Sequence, residues 1–225
     1  MRTERISIPI SEDEQVSGIL SIPGSGEIEA GVILAHGAGN DMNYPLLSFF
    51  AEGLADSGYL CLRFNFLYKE KEKKGPDSPN VLYGAWRGAY RALAEHTEYR
   101  PKRIFAAGKS LGGRIASQMV AERELPVEKL LFLGYPLHAP GKKDRLRDSH
   151  LYKISVPMLF FAGTRDSLCD LQLLKQVLAK ITAPCELQTI EGGDHSFQVP
   201  KSYAVQPMEI NELILRKTLE WLRST

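Results

Sequence analysis

A chain of 225 residues with 44% hydrophobic and 24% charged side chains is long enough for one domain with a sizeable core, and its composition excludes the disordered and fibrous classes. Its 28 basic and 27 acidic residues leave a formal net charge of +1, so no overall field would hold a polyanion, and neither nucleic acid nor an anionic membrane is an expected partner. Three scattered cysteines (Cys61, Cys169, Cys185), with no CxxC or Cys/His cluster, exclude a disulfide framework and a zinc site; no metal or organic cofactor is expected.

The first five residues lead into short alternating segments and not into an apolar leader, and no apolar run approaches the roughly 18 residues of a membrane span, so a soluble, cytoplasmic protein is expected. Residues 6–10 and 16–22 alternate apolar and polar side chains around Ser11-Glu12-Asp13-Glu14, which predicts an opening antiparallel hairpin. Gly31-Val32-Ile33-Leu34-Ala35 is apolar throughout, the mark of a strand covered on both faces. A helix over 44–57 follows, with Asn43 as its cap and Gly58 as its stop. A second apolar strand covers 59–64. The alternating charges of Lys69-Glu70-Lys71-Glu72-Lys73-Lys74 read as a solvated loop. A helix over 81–95 follows Asn80. Strands at 103–108, 130–134 and 157–163 alternate with helices at 111–123 and 171–181, the latter capped by Asp170. Residues 186–190 read as an edge strand, and a last helix starts at Pro207. The irregular excursion from His138 to His150 is too short to form an independent lid. This alternation predicts an α/β fold in three layers, with a mostly parallel, doubly wound sheet preceded by an antiparallel hairpin, as one domain over 1–225.

Gly108-Lys109-Ser110-Leu111-Gly112 fits the G-x-S-x-G pattern of a serine on a tight strand-to-helix turn, where larger flanking residues would collide with the backbone. A phosphate-binding loop would need glycine where Arg103 stands, which removes the nucleotide alternative. A serine hydroxyl needs a base. Of five histidines, His195 sits on the Gly192-Gly193-Asp194-His195 loop after the last strand, at the end of the sheet where the serine emerges. His96 reads as solvated, His138 and His150 as rim residues, and His36 as a brace. The base needs a carboxylate on its second nitrogen. Asp166, directly after the 157–163 strand, is preferred to Asp170 and to Asp194, giving Ser110, Asp166 and His195 as the catalytic set. The small residues of His36-Gly37-Ala38-Gly39 would leave backbone N–H groups open to a substrate oxygen, so the oxyanion donors are the amides of Ala38 and Leu111. Met42, Tyr135 and Leu137, with Tyr68, are the expected substrate contacts.

Ordered in this way, the chain from about Ile6 to Leu222 resembles the α/β-hydrolase superfamily. Within it, the chain is similar to the lidless, dienelactone-hydrolase-like branch, and there to testis-expressed hydrolase-like proteins, their bacterial relatives and a hydrolase-like subunit of a nuclear histone-acetyltransferase complex. The segments that carry this are His36 to Asn43, Phe64, Gly108 to Arg114, Tyr135 to Pro140 with Leu146-Arg147-Asp148, and Asp194-His195-Ser196. Dienelactone hydrolases proper use a cysteine at the position of Ser110. The resemblance implies an esterase-type hydrolase acting on a small acyl ester, or a thioester or amide, without a cofactor. The alternative it implies is a hydrolase-fold interaction module with little or no catalysis.

Overall fold

The structure, a computed structural model, describes residues 1–26, 28 and 30–224. Strands β1 (Arg2–Pro9) and β2 (Gln15–Ile22) form the opening hairpin, in register from Arg2 opposite Ile22 to Pro9 opposite Gln15. β1 starts ahead of the alternating segment because Arg2 to Arg5 add backbone pairing from an exposed edge that carries no apolar period.

The chain then alternates between strand and helix. Its strands are β3 (Ala30–Ala35), β4 (Leu60–Phe64), β5 (Arg103–Lys109), β6 (Lys129–Leu133), β7 (Met158–Gly163) and β8 (Cys185–Ile190). Its helices are α1 (Pro45–Asp56), α2 (Leu67–Glu70), α3 (Pro79–Ala94), α4 (Leu111–Ala121), α5 (Leu171–Leu178) and α6 (Pro207–Arg223). Among the described residues, eight strands form one sheet in the order β1-β2-β4-β3-β5-β6-β7-β8. β2 meets β4 antiparallel, and every later pairing is parallel.

Helices cover both faces. Phe50 and Leu54 of α1 and Ile210, Ile214 and Trp221 of α6 pack on one side. Trp86 of α3, Ile115 and Met119 of α4 and Leu174 of α5 pack on the other. The central strands are therefore buried along their whole length, as their uniform apolar runs require. Among the described residues, no helix is long and apolar enough to cross a membrane.

Local starts differ from the expected ones where proline decides. α1 begins at Pro45 with Tyr44 as cap, while the Asn43 N–H bonds Asp41 Oδ1 at 2.7 Å. α3 begins at Pro79, two residues ahead of the expected start at 81, with Ser78 as its cap. The charged stretch from Lys69 opens inside the one-turn helix α2 and is not loop throughout. Asp170 does cap α5, accepting from the N–H groups of Gln172 and Leu173 at 2.9 and 3.1 Å.

From β3 the chain goes outward to β4 and then returns to β5 on the other side of β3. That reversal opens a crevice beyond the C-terminal ends of β3 and β5, the place where sheets of this type hold ligands.

Candidate active site

Ser110 stands at that crevice, between the end of β5 and the start of α4. Its backbone has φ 49° and ψ −111°, a conformation that L residues rarely hold and that needs tight surroundings. The glycines supply them. A Cβ on Gly112 would lie 2.6 Å from the Ala35 carbonyl oxygen, and one on Gly108 would overlap the Gly113 amide. The Ser110 N–H donates to Leu133 O at 3.3 Å, which ties the turn to β6.

His195 follows β8 on a loop shaped by its neighbour. Asp194 Oδ1 accepts from the N–H groups of Ser196 (2.7 Å) and Gln198 (2.9 Å). Asp194 thus shapes the loop, and among the described residues its side chain makes no hydrogen bond to the His195 ring. The loop after β7 carries Asp166 and is stitched to the His195 loop: Thr164 N–H donates to Ile190 O, Arg165 N–H to Gly193 O, and Gly192 N–H to Thr164 Oγ1 at 2.8 Å. Gly163 is required here, since a Cβ on it would overlap the Gly193 carbonyl.

These loops bring three side chains into line. His195 Nε2 lies 2.8 Å from Ser110 Oγ, and His195 Nδ1 lies 2.8 Å from Asp166 Oδ2. An ionised carboxylate only accepts, so Nδ1 carries the proton and Nε2 is left to accept from the serine hydroxyl. The Asp166 side chain is fully enclosed, its other oxygen accepting from Leu168 N–H at 2.7 Å, while the His195 ring is 19% exposed.

The residue beside the serine was not singled out from sequence. Lys109 is almost wholly buried, yet its Nζ donates to the His195 carbonyl oxygen at 2.6 Å and lies 5.8 Å from the centre of the Phe197 ring. Burial lowers its pKa to about 8, partly opposed by Asp166 and Asp194. A lysine in a strand covered on both faces is the signal that could have revealed it.

The loop after β3 is braced from below. His36 Nδ1 donates to Gly37 O at 2.8 Å, and its Nε2 accepts from Phe66 N–H at 3.1 Å; burial lowers its pKa to about 4, keeping it neutral. The Tyr68 hydroxyl donates to Ala38 O at 3.0 Å. Ala38 is exposed and Leu111 opens α4, and neither backbone N–H has a protein acceptor among the described residues.

The expected substrate contacts fare differently. Met42, Tyr135 and Leu137 are 3%, 1% and 0% exposed, and Tyr68 is fully buried, so each shows little of its surface to solvent. Met42 is held by Asn65 Oδ1 on its N–H and by the Arg63 guanidinium on its carbonyl. The Tyr135 hydroxyl donates to Arg147 O at 2.6 Å, where the 138–150 excursion folds back over it. His150, half-buried, faces Ser117 Oγ at 2.9 Å, while His138 is buried and its Nε2 accepts from Asp170 N–H at 3.0 Å, so His138 is no rim residue.

A family profile described as an alpha/beta hydrolase domain matches residues 28–223. A Mycobacterium tuberculosis protein named "Putative phosphoribosyl transferase" is 25% identical over 205 residues, which cover 89% of this chain and 43% of that protein. The chain thus spans less than half the length of the curated relatives it matches. Among solved structures, an alpha-beta serine hydrolase homologue from Coxiella burnetii superposes with a TM-score of 0.76 at 21% identity, covering 96% of this chain and 98% of that one. A dienelactone hydrolase from Anabaena variabilis gives 0.72 at 20% identity, covering 96% and 95%. These structural likenesses are likenesses of fold.

Proposed function

The chain belongs to the alpha/beta hydrolase family, and from that premise we propose that it is a serine hydrolase cleaving a small carboxylic ester through an acyl-enzyme. One observation carries the reading: the continuous relay Asp166–His195–Ser110, with 2.8 Å at each link. Ser110 Oγ attacks the acyl carbonyl as His195 Nε2 takes its proton. Asp166, dry and fixed, stabilises the imidazolium that forms. The tetrahedral oxygen would sit at the free amides of Ala38 and Leu111, where each donor typically contributes about 3 kcal/mol to the transition state. His195 then protonates the leaving alcohol, and water, deprotonated by the same nitrogen, releases the acid. Thioesters and small amides come second, since the relay protonates their leaving groups in the same way.

The test is labelling with a fluorophosphonate, which phosphonylates an activated serine. Wild type should label and Ser110→Ala should not. A folded wild type that stays unlabelled would turn the assignment to an interaction module on a hydrolase scaffold.

A further inference from the structure

The apolar part of the proposed ester needs a place in the fold. A groove of about 720 Å³ opens between the first turns of α1 and α6 and the loop that follows His195. Its lining includes Tyr44, Leu46, Phe197, Val199, Val205 and Ile210. Its walls continue the two segments that carry the proposed chemistry. Ser196, on one wall, is the residue after His195, and Tyr44, on the other, ends the loop that starts at Gly37 and is pinned to it through Asp41 O. α1 and α6, which supply two of its sides, pack on each other, Gly53 lying against Leu215.

Two further observations set this place apart. Phe197 holds the left-handed conformation at φ 64° without being glycine, and its ring is 3% exposed, so the turn after the base is held in an uncommon form that buries an aromatic under the groove. Among the described residues, the exposed large apolar side chains are Met1, Tyr203 (41%), Val205 (39%) and Met208 (53%), of which Val205 lines the groove and Tyr203 and Met208 flank it in sequence. A concave, apolar site of this size is of the kind that takes a small molecule, with typical pockets of roughly 300–1,000 Å³.

We propose that this groove binds the apolar arm of the ester, an alkyl chain or aryl ring, while its carbonyl lies at Ser110. The proposal rests on the hydrolase reading, and the experiment separates the two. kcat/KM is measured for p-nitrophenyl acetate, butyrate and hexanoate, and for acetates of alcohols of increasing length, so that an acyl arm and an alcohol arm are told apart. Each methylene that enters the groove should raise kcat/KM by up to about fourfold. The preference for the longer ester should collapse at least tenfold in Val205→Trp and Asn211→Trp, two substitutions at solvent-accessible positions that fill the groove; their folding is checked by thermal unfolding. A flat dependence on length in both series, or a preference that survives both fillings, overturns the proposal while leaving the hydrolase reading intact. Binding is read separately by calorimetric titration of Ser110→Ala with p-nitrophenyl hexanoate. If no ester is cut but hexanoate ester binds and Val205→Trp blocks it, the groove stands and the hydrolase reading falls. If neither cleavage nor binding is seen, both fall.

Discussion

Replacing Lys109 by Met tests whether a charged ammonium is held inside the fold beside the base. The substitution keeps an unbranched side chain in the same slot and removes the charge. Burial takes the Lys109 pKa from 10.5 to about 8, and a tenfold change in proton affinity is about 1.4 kcal/mol, so at neutral pH the charged form is disfavoured in the fold by about 3 kcal/mol. Methionine relieves this but leaves the His195 carbonyl without its donor, a loss of about 1–3 kcal/mol, so near neutrality the two proteins should differ by no more than about 2 kcal/mol. The pH dependence is sharper. The folded pKa lies below the unfolded one, so the folded protein gives up the proton first, and stability rises with pH between the two values. Going from about pH 7 to about pH 10, wild type should gain on the order of 2 kcal/mol on Lys109→Met. Urea unfolding of both proteins along that range, followed by the fluorescence of Trp86 and Trp221, reads the difference; tyrosines and cysteines titrate in both and cancel. Fluorophosphonate labelling of the variant should slow, because the base is no longer tied to the strand that presents Ser110. A difference in stability that stays flat with pH would mean that the ammonium is solvated, and the reasoning would fail.

Asp166→Asn should leave unfolding nearly unchanged and lower ester turnover by about 10⁴, because Nδ1 loses the acceptor that fixes its tautomer; the same loss in Asp170→Asn instead would move the acid to the cap of α5. Gly163→Ala should destabilise by about 2 kcal/mol or more and impair turnover together, since its methyl group drives the His195 loop off the Asp166 loop; urea midpoints and ester assays on one preparation read both. His36 and His150 are each lowered to about 4 by burial, so the unfolded chain takes up protons first as pH falls below about 6.5, and stability present above that pH should be lost progressively toward about pH 4. His36→Gln should soften that acid loss in a pH series of melting temperatures.

The relay was legible because each of its members ends a strand. Ser110 lies in a local pattern whose glycines state a backbone requirement, and Asp166 and His195 follow strands whose apolar runs place them at the same edge of the sheet. What was not legible needed knowledge of the third dimension. Tyr135 and Leu137 look like pocket residues because they follow β6, but the 138–150 excursion returns over them through Arg147 and His150, and no periodicity records that return. Lys109 was passed over because lysine reads as exposed, although the strand carrying it is covered on both faces. α2 is one turn long inside a charged run, too short for a hydrophobic period to mark it.

The same features bear on the choice between enzyme and interaction module. Ser110 is held at φ 49° and Phe197 at φ 64°, each in a conformation that costs about 1–3 kcal/mol unless the surroundings impose it. Lys109 adds a buried ammonium, and Gly108, Gly112 and Gly163 stand where no side chain fits. Gly108, Lys109 and Gly163 also take part in the sheet pairing and Phe197 in the core, but neither role asks for a buried ammonium or for a left-handed backbone at positions 110 and 197. Relaxing the serine turn and placing an apolar residue at position 109 would leave the outer surface, where a partner would dock, as it is. All of these strained and buried elements act on one quantity, the relative placement of an imidazole and a hydroxyl. Binding of a partner to the scaffold makes no use of that distance, whereas transfer of a proton from Ser110 to His195 depends on it directly. The arrangement therefore favours chemistry over docking.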